Sequence, residues 1–511
     1  MAHGMGSENF VENQRRALEN PQLQRAMTKA TEKFVAARVS LEADGGAQWG
    51  RLRDRAREIK EHTVAHLDHY LDEFAANVER LGGHVCWAAD AEAANRYITD
   101  LARRRGVRLA VKGKSMMSEE VGLNAALAEA GVEPVETDLG EHIVQLAGER
   151  PSHINMPAVH KTRGDIAELF AEKLHAVRTE GIDDLTALAR RLLRERFAAA
   201  GMGITGVNFA VAETGTIVLI ENEGNIRLTT SLPRVHVALM GIEKVLPRFE
   251  DLEVFLKLLP RSASGQKLTA GVSFLTGVKG DAGEEGPEEF HVVIIDNGRT
   301  EILANPHLRE SLLCIRCGAC LNACPVYQKI GGHAYGWVYP GPIGAVLTPQ
   351  LIGRTRAAQL PFASSLCGAC KDACPIKINI PEMLLHLRHE IKEGSGAQTG
   401  AGVSSAPGGV GASREVERVR PAGFRQRLGG LFERAAFKLW AATMRDARRY
   451  RIAGRLARIV QRVFGSRDAA GVFTLPVARW TKTRQLPPLA PRPFSSRWPE
   501  ISETARKEPG R

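Results

Sequence analysis

The sequence predicts an α/β sheet domain, followed by an α-helical, cysteine-rich module and a basic helical C-terminal region. Three observations indicate this order. Short β-rich segments alternate with helical patterns from residue 84 to about residue 298, seven of the eight cysteines lie within 61 residues, and basic residues concentrate near the C-terminus. We place the boundaries at an N-terminal helical region 1–83, an α/β domain 84–300, a cysteine-rich domain 301–393, a flexible linker 394–415 and a basic region 416–511.

The N-terminal region is predicted to be helical and to end at a pair of glycines. Leu67, Leu71 and Phe74 recur at intervals of four and three residues, which places them on one face of a helix. Gly82 and Gly83 then supply a stop signal. The sheet domain is expected to start directly after them.

Residues 84–300 carry the signals of alternating strands and helices. The predicted strands are Val107–Val111, Ile217–Ile220, Val235–Met240 and Val292–Ile295. The predicted helices are Ala91–Arg105 and Glu119–Ala130. Strands rich in Val and Ile that alternate with helices are typical of a sheet with helices packed on its faces.

The net charge of +11 belongs to the end of the chain. Residues 414–511 contain 23 Lys and Arg against 8 Asp and Glu, so the preceding residues are slightly acidic. A Gly/Ser/Ala-rich segment within residues 394–415 has the composition of a flexible linker. Beyond it, residues 424–464 form a basic, helical pattern. We expect this helix to dock on an acidic partner subunit or to make peripheral contact with an anionic membrane, and we expect no nucleic-acid partner, since no recognised binding module accompanies the charge.

The sequence favours a cytoplasmic location, with any membrane association at the inner face. It contains no run of about 18 apolar residues, the minimum for a spanning helix. The first residues lack both an apolar core and a small-residue cleavage site. Clustered cysteines in that compartment favour metal ligation over disulfides.

The first cysteine motif is Cys314-Ile-Arg-Cys317-Gly-Ala-Cys320-Leu-Asn-Ala-Cys324-Pro325. Its C-x2-C-x2-C-x3-C-P spacing is typical of bacterial-type binding of cubane iron–sulfur clusters. Three thiolates on a tight loop can each reach one iron of the same cube, whereas the fourth points towards a neighbouring cluster. Gly318 and Pro325 suit the tight turn and the abrupt exit of such a loop.

The second motif repeats the first, with a serine at its leading position. It is Ser364-Ser-Leu-Cys367-Gly-Ala-Cys370-Lys-Asp-Ala-Cys374-Pro375. Two such motifs normally exchange their last cysteines. The residues predicted to bind cluster 1 are Cys314, Cys317, Cys320 and Cys374, and those predicted to bind cluster 2 are Cys324, Cys367 and Cys370. Zinc sites use paired C-x2-C arms, a pattern that these two motifs fit poorly.

The two predicted clusters differ in their ligand sets. Cluster 1 has four thiolates and is expected to be [4Fe–4S]. Cluster 2 has three, so it is either [3Fe–4S] or a [4Fe–4S] cluster completed by Ser364, by water or by a partner's residue. Neighbouring clusters with thiolate ligands usually pass single electrons, which predicts an electron-transfer protein. The alternatives for the same ligand set are a redox sensor and a pair of purely structural clusters.

Polar side chains crowd the middle of the α/β domain. They are Asn208, Glu213, Asn225, Arg227 and Arg234. A glycine-rich segment, residues 201–206, precedes them, and backbone amides in such a segment can approach an anion. A ligand site is therefore one interpretation of this segment, but glycines at strand ends serve tight turns as readily, and the tight turn is the favoured interpretation. The nearby segment Lys112–Ser115 lacks the first glycine of a phosphate-binding loop, because Arg108 stands there, so it is predicted to be an ordinary loop.

Similarity to a known family extends beyond the first cysteine motif. It is carried by Cys367-Gly-Ala-Cys370-Lys-Asp-Ala-Cys374-Pro375, by Gly341-Pro-Ile-Gly344 and by residues 203–219 and 221–236. On these residues the chain resembles the lactate utilisation protein B family, and the last two segments resemble the LUD domain of that family. The resemblance covers roughly residues 50–395, and the basic C-terminal region more loosely.

This resemblance implies an α/β LUD domain, similar in fold to ribose-phosphate isomerases and CoA transferases, fused to an α-helical ferredoxin-type domain. It also implies seven ligand cysteines and one subunit of a complex that oxidises L-lactate to pyruvate, relaying electrons through two clusters. We expect a partner subunit to carry the lactate chemistry, because no dinucleotide-binding fingerprint follows a clear strand. The alternatives are an iron–sulfur redox sensor and a LUD domain that acts as an isomerase-like or transferase-like enzyme. No catalytic residue is predicted.

Overall fold

The computed structural model describes residues 6–279, 286–393, 435–464, 466–467, 473–474 and 489–507. The chain divides into two units, residues 1–401 and 402–511. All seven cysteines of the two motifs belong to the first unit.

Ten strands of the first unit form two sheets. Along the chain they are β1 (His84–Ala88), β2 (Leu109–Lys112), β3 (Glu133–Glu136), β4 (Met202–Gly206), β5 (Phe209–Val211), β6 (Thr216–Glu221), β7 (Val235–Gly241), β8 (Val245–Leu246), β9 (Gly271–Leu275) and β10 (Glu289–Ile295). The main sheet has the order β1-β10-β7-β4-β2-β3 and all of its pairs are parallel. The smaller sheet has the order β8-β5-β6-β9 and is mixed.

Seventeen α-helices are described in the first unit. The first nine are α1 (Phe10–Leu18), α2 (Pro21–Ala65), α3 (Leu67–Arg80), α4 (Ala91–Arg104), α5 (Met116–Glu120), α6 (Leu123–Glu129), α7 (Leu139–Leu146), α8 (Arg163–Leu174) and α9 (Ile182–Ala199). The others are α10 (Asn225–Ser231), α11 (Leu252–Ser264), α12 (Arg299–Ala304), α13 (Ala319–Ala323), α14 (Tyr327–Ile330), α15 (Gly341–Leu351), α16 (Ala369–Asp372) and α17 (Ile380–Glu393).

The central strands of the main sheet are apolar because both of their faces are covered. Every residue of β7 is buried, and so are six of the seven residues of β10. The prediction of an α/β domain is therefore confirmed. Each of the four predicted strands overlaps an observed strand. β10 begins three residues before the predicted Val292, and β2 begins two residues after the predicted Val107. Val107 instead closes the end of α4 through a bond from its amide to the carbonyl of Ala102.

The predicted helix Glu119–Ala130 is wrong in its continuity. Gly122 has a φ of 67° and separates α5 from α6. A left-handed residue cannot continue a right-handed helix, and glycine adopts this conformation at little cost. The other predicted helix ends at Arg104, one residue before the predicted end.

The long helix α2 joins the sheet domain to the cysteine-rich region. Trp49, Ala56 and Ile59 lie on its buried face, and it packs against α11 of the sheet domain and against α13 and α14 of the cysteine-rich region. Gly46, with φ of 47° and ψ of −132°, interrupts its helical geometry. One hydrophobic cluster therefore runs from the N-terminal helices through the sheet domain to the cysteine loops.

In the second unit, residues 435–444 are helical and are followed by the helix Ala447–Phe464. A further helix is Phe494–Lys507. Within the predicted basic helical pattern at residues 424–464, residues 435–444 and 447–464 are helical, residues 445–446 are not, and residues 424–434 lie outside the described ranges. Ile452, Leu456 and Ile459 are all more than half exposed on the helix Ala447–Phe464. Among the helices that the structure describes in either unit, none is long and apolar enough to cross a bilayer.

Candidate metal centre and adjoining cavity

The first cysteine motif forms a tight loop that ends in a short helix. A 3-10 turn, Arg309–Leu313, leads into Cys314, and α13 begins directly after Gly318. Arg316 adopts a left-handed conformation with a φ of 60°, and Gly318 follows at 77°. Left-handed backbone costs a residue with a side chain about 1–2 kcal/mol, so the surrounding contacts must hold Arg316 in this conformation.

The second motif repeats this backbone conformation. Leu366 has a φ of 55° at the position equivalent to Arg316, and a left-handed glycine follows two residues later in both loops. The equivalence extends to a hydrogen bond. The amide of Arg316 donates to Sγ of Cys314 at 3.4 Å, and the amide of Leu366 donates to Oγ of Ser364 at 3.1 Å. Ser364 therefore occupies the same place in its loop as Cys314 does in the other.

The seven thiols fall into two groups according to which ones interact electrostatically. The first group comprises Cys314, Cys317, Cys320 and Cys374. The second group comprises Cys324, Cys367 and Cys370. Cys320 also interacts with Cys370, so the two groups adjoin. These are the sets that the spacing assigns to cluster 1 and cluster 2, and the ligation itself stays a prediction.

Burial disfavours the charged form of five of these thiols, namely Cys317, Cys320, Cys324, Cys370 and Cys374. Burial, together with the charge of nearby Cys314, raises the pKa of Cys374 to about 11. Burial, together with the charge of nearby Cys324, raises the pKa of Cys370 to about 12. Burial and four neighbouring thiols raise the pKa of Cys320 far above its usual range. Thiolates at these positions need a strongly cationic partner, so the donor set fits the iron atoms of a cluster.

The two groups differ in their access to solvent. Cys317, Cys320 and Cys374 of the first group are each 8% exposed. In the second group Cys367 lies at the surface, and a hydrogen bond from the amide of Ala369 lowers the pKa of its thiol. The second group is therefore the one that approaches the outside of the molecule.

Two arginines of α2 bind the backbone of the second cysteine loop. Arg53 donates through Nε and Nη2 to the carbonyl of Cys374, at 3.1 and 2.7 Å, and through Nη2 to the carbonyl of Asp372 at 2.8 Å. Arg57 donates to the carbonyl of Lys377 at 2.8 Å. Lys377 is left-handed, with a φ of 55°. The helix thus holds the turn that follows the last cysteine.

A loop of the sheet domain binds the first cysteine loop in the same way. Nδ2 of Asn155 donates to the carbonyl of Cys317 at 2.7 Å. His153 bonds through Nε2 to Oδ1 of Asn322 at 3.0 Å, and burial lowers the pKa of this histidine to about 4. A neutral imidazole is therefore expected at this contact near neutral pH.

A buried ion-pair network also connects the sheet domain to the first cysteine loop. Arg299 pairs with both carboxylate oxygens of Glu120, at 2.8 and 2.7 Å, and its Nε donates to Glu243 at 2.7 Å. Nη2 of Arg316 donates to the other oxygen of Glu243 at 3.2 Å. Although burial acts to raise it, the charges of Arg299 and Arg316 lower the pKa of Glu243 to about 2. The carboxylate therefore stays ionised inside the protein.

A cavity of about 600 Å³ lies between the main sheet and the first cysteine loop. Gly206 at the end of β4 and Gly241 at the end of β7 form part of one wall, and Ile315, Arg316 and Cys317 form part of the opposite wall. Ligands of parallel sheets bind at the carboxyl ends of the strands. The cavity is therefore where the sheet would place a ligand, and it touches the candidate metal centre.

Of the five polar residues considered for a ligand site, two line the cavity and three lie elsewhere. Asn208 and Asn225 line the cavity. Glu213 instead accepts a bond from the amide of Phe249, Arg234 pairs with Glu288 at the surface, and Arg227 is exposed.

Several residues at the site had no signal in the sequence. Lys114 was assigned to an ordinary loop, because the segment lacks the glycine of a phosphate-binding loop, yet it lines the cavity. Lys244 and Asn155 line it as well, and Arg53 binds the second loop. Neither the residue types nor their spacing near these positions predicts a role at the site. Each side chain contacts or faces segments that are distant along the chain.

Comparison with protein families divides the first unit into two parts. Residues 71–295 match the LUD domain. Residues 310–378 match the 4Fe-4S dicluster domain. The first match includes both sheets, and the second includes both cysteine loops.

Full-length relatives resemble most of this chain. The lactate utilization protein B of Shouchella clausii (strain KSM-K16) is 45% identical over 414 residues, which cover 81% of this chain and 87% of the relative. The lactate utilization protein B of Bacillus pumilus (strain SAFR-032) is 47% identical over 397 residues, 78% of this chain and 83% of the relative. The uncharacterized electron transport protein YkgF of Escherichia coli (strain K12) is 44% identical over 385 residues, 75% of this chain and 81% of the relative.

Proposed function

Because the chain belongs to the lactate utilization protein B family, we propose that it is the iron–sulfur electron-transfer subunit of a complex that oxidises L-lactate to pyruvate. The observation that carries this proposal is the pair of adjoining thiol groups, which meet where Cys320 interacts with Cys370. When bound, clusters at these groups would supply one-electron transfer. Oxidation of a 2-hydroxy acid releases two electrons, so two such carriers in one subunit match the reaction.

The proposed ligand sets follow the two thiol groups. Cys314, Cys317, Cys320 and Cys374 hold a [4Fe–4S] cluster, and Cys324, Cys367 and Cys370 hold the other cluster. Asn155 and Arg53 position the backbone of the loops that carry these thiols. The exposed Cys367 marks the side from which a redox partner can come close.

Ser364 is the candidate that this chain itself offers as a fourth ligand for the second cluster. Its Oγ accepts the same loop hydrogen bond as Sγ of Cys314 does, although oxygen is a poorer ligand for the iron of a cluster. In Ser364→Cys we expect electron paramagnetic resonance of the oxidised protein to show no [3Fe–4S] signal. In Ser364→Ala we expect this signal to increase relative to the unchanged protein. Identical spectra for all three proteins would point to water, to a partner's residue or to a native [3Fe–4S] cluster.

The relay is tested by following the visible absorbance of the clusters under anaerobic conditions. We expect L-lactate to bleach the absorbance only when the other subunits of the complex are present. Cys374→Ser should lose iron and abolish the response, whereas Cys86→Ser, a substitution outside both loops, should retain it. Bleaching of the isolated chain by lactate would contradict a relay that depends on a partner. An absorbance insensitive to lactate in the complete complex would favour a redox sensor.

For the basic C-terminal unit we propose docking on an acidic surface of a partner subunit in the cytoplasm, with contact to an anionic membrane as the alternative. Its helix Ala447–Phe464 combines many arginines with the exposed Ile452, Leu456 and Ile459. An amphipathic basic helix can serve either purpose. Flotation with liposomes distinguishes them: binding that requires anionic lipid and decreases with salt supports the membrane, and its absence supports the partner.

A further inference from the structure

The cavity beside the first cysteine loop has the size and the position of a small-molecule site. Its volume of about 600 Å³ falls within the usual range for ligand pockets, roughly 300–1,000 Å³. It is bounded by the carboxyl ends of β4 and β7 on one side and by Arg316 and Cys317 on the other. A molecule in this cavity would therefore contact the loop that carries three of the proposed ligands of cluster 1.

Two lysines in the cavity wall lack a direct hydrogen-bonding partner among the described residues, although nearby carboxylates act on the charge of each. The ammonium groups of Lys114 and Lys244 form neither a hydrogen bond nor an ion pair with any residue in the described ranges. Burial lowers the pKa of Lys244 to about 8, so most of this group remains charged at neutral pH. A partly buried ammonium group without an acceptor is costly, and an anionic ligand would supply the acceptor.

Arg316 supports an anion site independently of the two lysines. This residue is only 9% exposed. Its Nη2 donates to Glu243 at 3.2 Å, whereas its Nη1 is buried without a partner among the described residues. The guanidinium lies 4.9 Å from the centre of the Tyr339 ring, which fixes its plane. A guanidinium with a free nitrogen in a cavity wall is suited to a carboxylate or phosphate oxygen.

The cations occupy two sides of the cavity. The charge of Arg316 acts on Lys244, which places these two groups near each other. Burial lowers the pKa of Lys114, whereas the charges of Asp138, Glu141, Glu223 and Glu136 act to raise it. The cavity therefore has a strongly cationic end at the cysteine loop and a mixed end at Lys114.

The acidic groups of the wall already have hydrogen-bond donors: Glu243 accepts from Arg299 and Arg316, and the others accept from backbone amides. Glu221 accepts from the amide of Ile226 at 2.8 Å, Asp138 accepts from the amide of Glu141 at 3.1 Å, and Glu223 accepts from the amide of Leu139 at 3.1 Å. The charges of Asp138 and Glu223 still act on Lys114, and they limit the negative charge that the cavity can accept. This balance favours a singly charged carboxylate over a doubly charged phosphate.

We propose that the cavity binds a small organic carboxylate of the 2-hydroxy-acid or 2-oxo-acid class, with its carboxylate at Arg316 and Lys244 and its hydroxyl or keto oxygen towards Lys114. The choice of this acid class rests on the proposed function, whereas the anion site rests on the three cations alone. The chain would then bind the substrate or product of the complex next to its own metal centre. Arg316 and Lys244 would be specificity-determining residues for the carboxylate.

The test is calorimetric titration of the anaerobic holoprotein with L-lactate, with pyruvate and with inorganic phosphate. We expect saturable binding of at least one of the two carboxylates and weaker binding of phosphate. Each lost charge-assisted hydrogen bond should weaken binding about tenfold or more, so Lys244→Met and Lys114→Met should show this loss. Lys173→Met on α8, where the lysine is exposed and lies outside the cavity, should bind as the unchanged protein does.

A second readout locates the site. Pyruvate or L-lactate should alter the paramagnetic resonance spectrum of the reduced cluster near Cys317 in the unchanged protein, and the alteration should be absent in Lys244→Met. Iron content and circular dichroism establish that each variant is folded and loaded. Tighter binding of phosphate than of either carboxylate overturns the proposal, and so does unchanged binding in a folded Lys244→Met variant.

Failure of this inference is distinguishable from failure of the proposed function. Carboxylate binding without lactate-dependent bleaching in the complete complex would refute the relay and leave the site intact. Bleaching in the complex without carboxylate binding to this chain would refute the carboxylate site and leave the relay intact.

Discussion

Arg299 shows how a single residue connects the two halves of the first unit. Its side chain is 1% exposed and lies between Glu120 and Glu243, which are equally inaccessible. The charge can be buried only because both carboxylates pair with it, and Glu243 in turn pairs with Arg316 of the first cysteine loop. These ion pairs therefore fix the position of the first cysteine loop relative to the sheet domain.

Replacement of Arg299 tests this connection. In Arg299→Met two buried carboxylates lose their main counter-charge, and we expect the free energy of unfolding to fall by about 3–5 kcal/mol. The measurement is denaturant unfolding of the anaerobic protein. As a control, Arg16→Met removes an ion pair whose side chains are 65% and 60% exposed, and its effect should not exceed about 1 kcal/mol. Equal effects of the two substitutions would contradict the role of the network.

His236 makes stability depend on pH. It lies in β7, bonds through Nε2 to Oγ1 of Thr205 at 2.9 Å and stacks on Phe290. Burial, and to a smaller extent the charge of His291, lowers the pKa of His236 to about 3. In the unfolded chain its pKa is about 6.5. The unfolded state therefore binds more protons between these values, and stability is lost as the pH falls from about 6.5 towards about 3.

The contribution of His236 is measured as a difference between two proteins. We expect the unfolding free energy of His236→Gln to decline less steeply with falling pH than that of the unchanged protein. Any loss of clusters in acid affects both proteins alike and cancels in the comparison. Parallel pH profiles would show that this histidine is not neutral in the native state.

At the scale of elements, the two cysteine loops are near copies that depend on left-handed residues. Gly318 and Gly368 stand directly before α13 and α16, with φ of 77° and 87°. A methyl group at Gly368 would meet nothing within 4 Å, whereas one at Gly318 would meet Nδ2 of Asn155 at 3.0 Å. That amide also holds the carbonyl of Cys317.

Substitution of this glycine by alanine is therefore expected to have different effects on stability and iron content in the two loops. Gly368→Ala carries only backbone strain and should lower the free energy of unfolding by about 1 kcal/mol. Gly318→Ala should cost more and should also reduce the iron bound per chain, because it displaces Asn155. Gly50→Ala in α2, where the space is open and the backbone is helical, should be neutral or stabilising by up to about 1 kcal/mol. Equal iron content in the two loop variants would argue against the role of Asn155.

At the scale of the whole first unit, the N-terminal helices complete the metal-binding half rather than forming a separate domain. Oγ of Ser7 donates to the carbonyl of Tyr335 at 2.9 Å, and the ring of Phe10 lies 5.6 Å from the ring of Tyr335. The same hydrophobic cluster contains Met27 of α2 and Cys320 of α13. The boundary at residue 83 remains a prediction, but the core continues across it.

Deletion of residues 1–19 should accordingly affect the cysteine-rich region more than the sheet. We expect faster amide hydrogen exchange around Tyr335 and faster loss of iron to a chelator, with β7 and β10 unchanged. If this deletion had no effect around Tyr335, the helices would not be part of this half.

Whether an element could be predicted from the sequence depends on how far apart along the chain the interacting residues lie. β6, β7 and β10 were predicted correctly because continuous runs of Val and Ile are local signals. The spacing of the cysteines is also local, and both motifs lie within the match to the 4Fe-4S dicluster domain. Strands such as β5 and β8 have three and two residues, which is too short for any periodicity to appear. The expected helix from Glu119 failed at one glycine, whose conformation depends on how α5 and α6 pack.

The sequence by itself determined the α/β class, the family and the seven candidate thiols, because each depends on residues close together along the chain or on motifs shared with relatives. Only the tertiary structure decided how α2 holds the second loop and that Lys114, Lys244 and Arg316 share one cavity. The physical reason is that unpaired charge and burial arise from packing between distant segments, and no local pattern of residues records them.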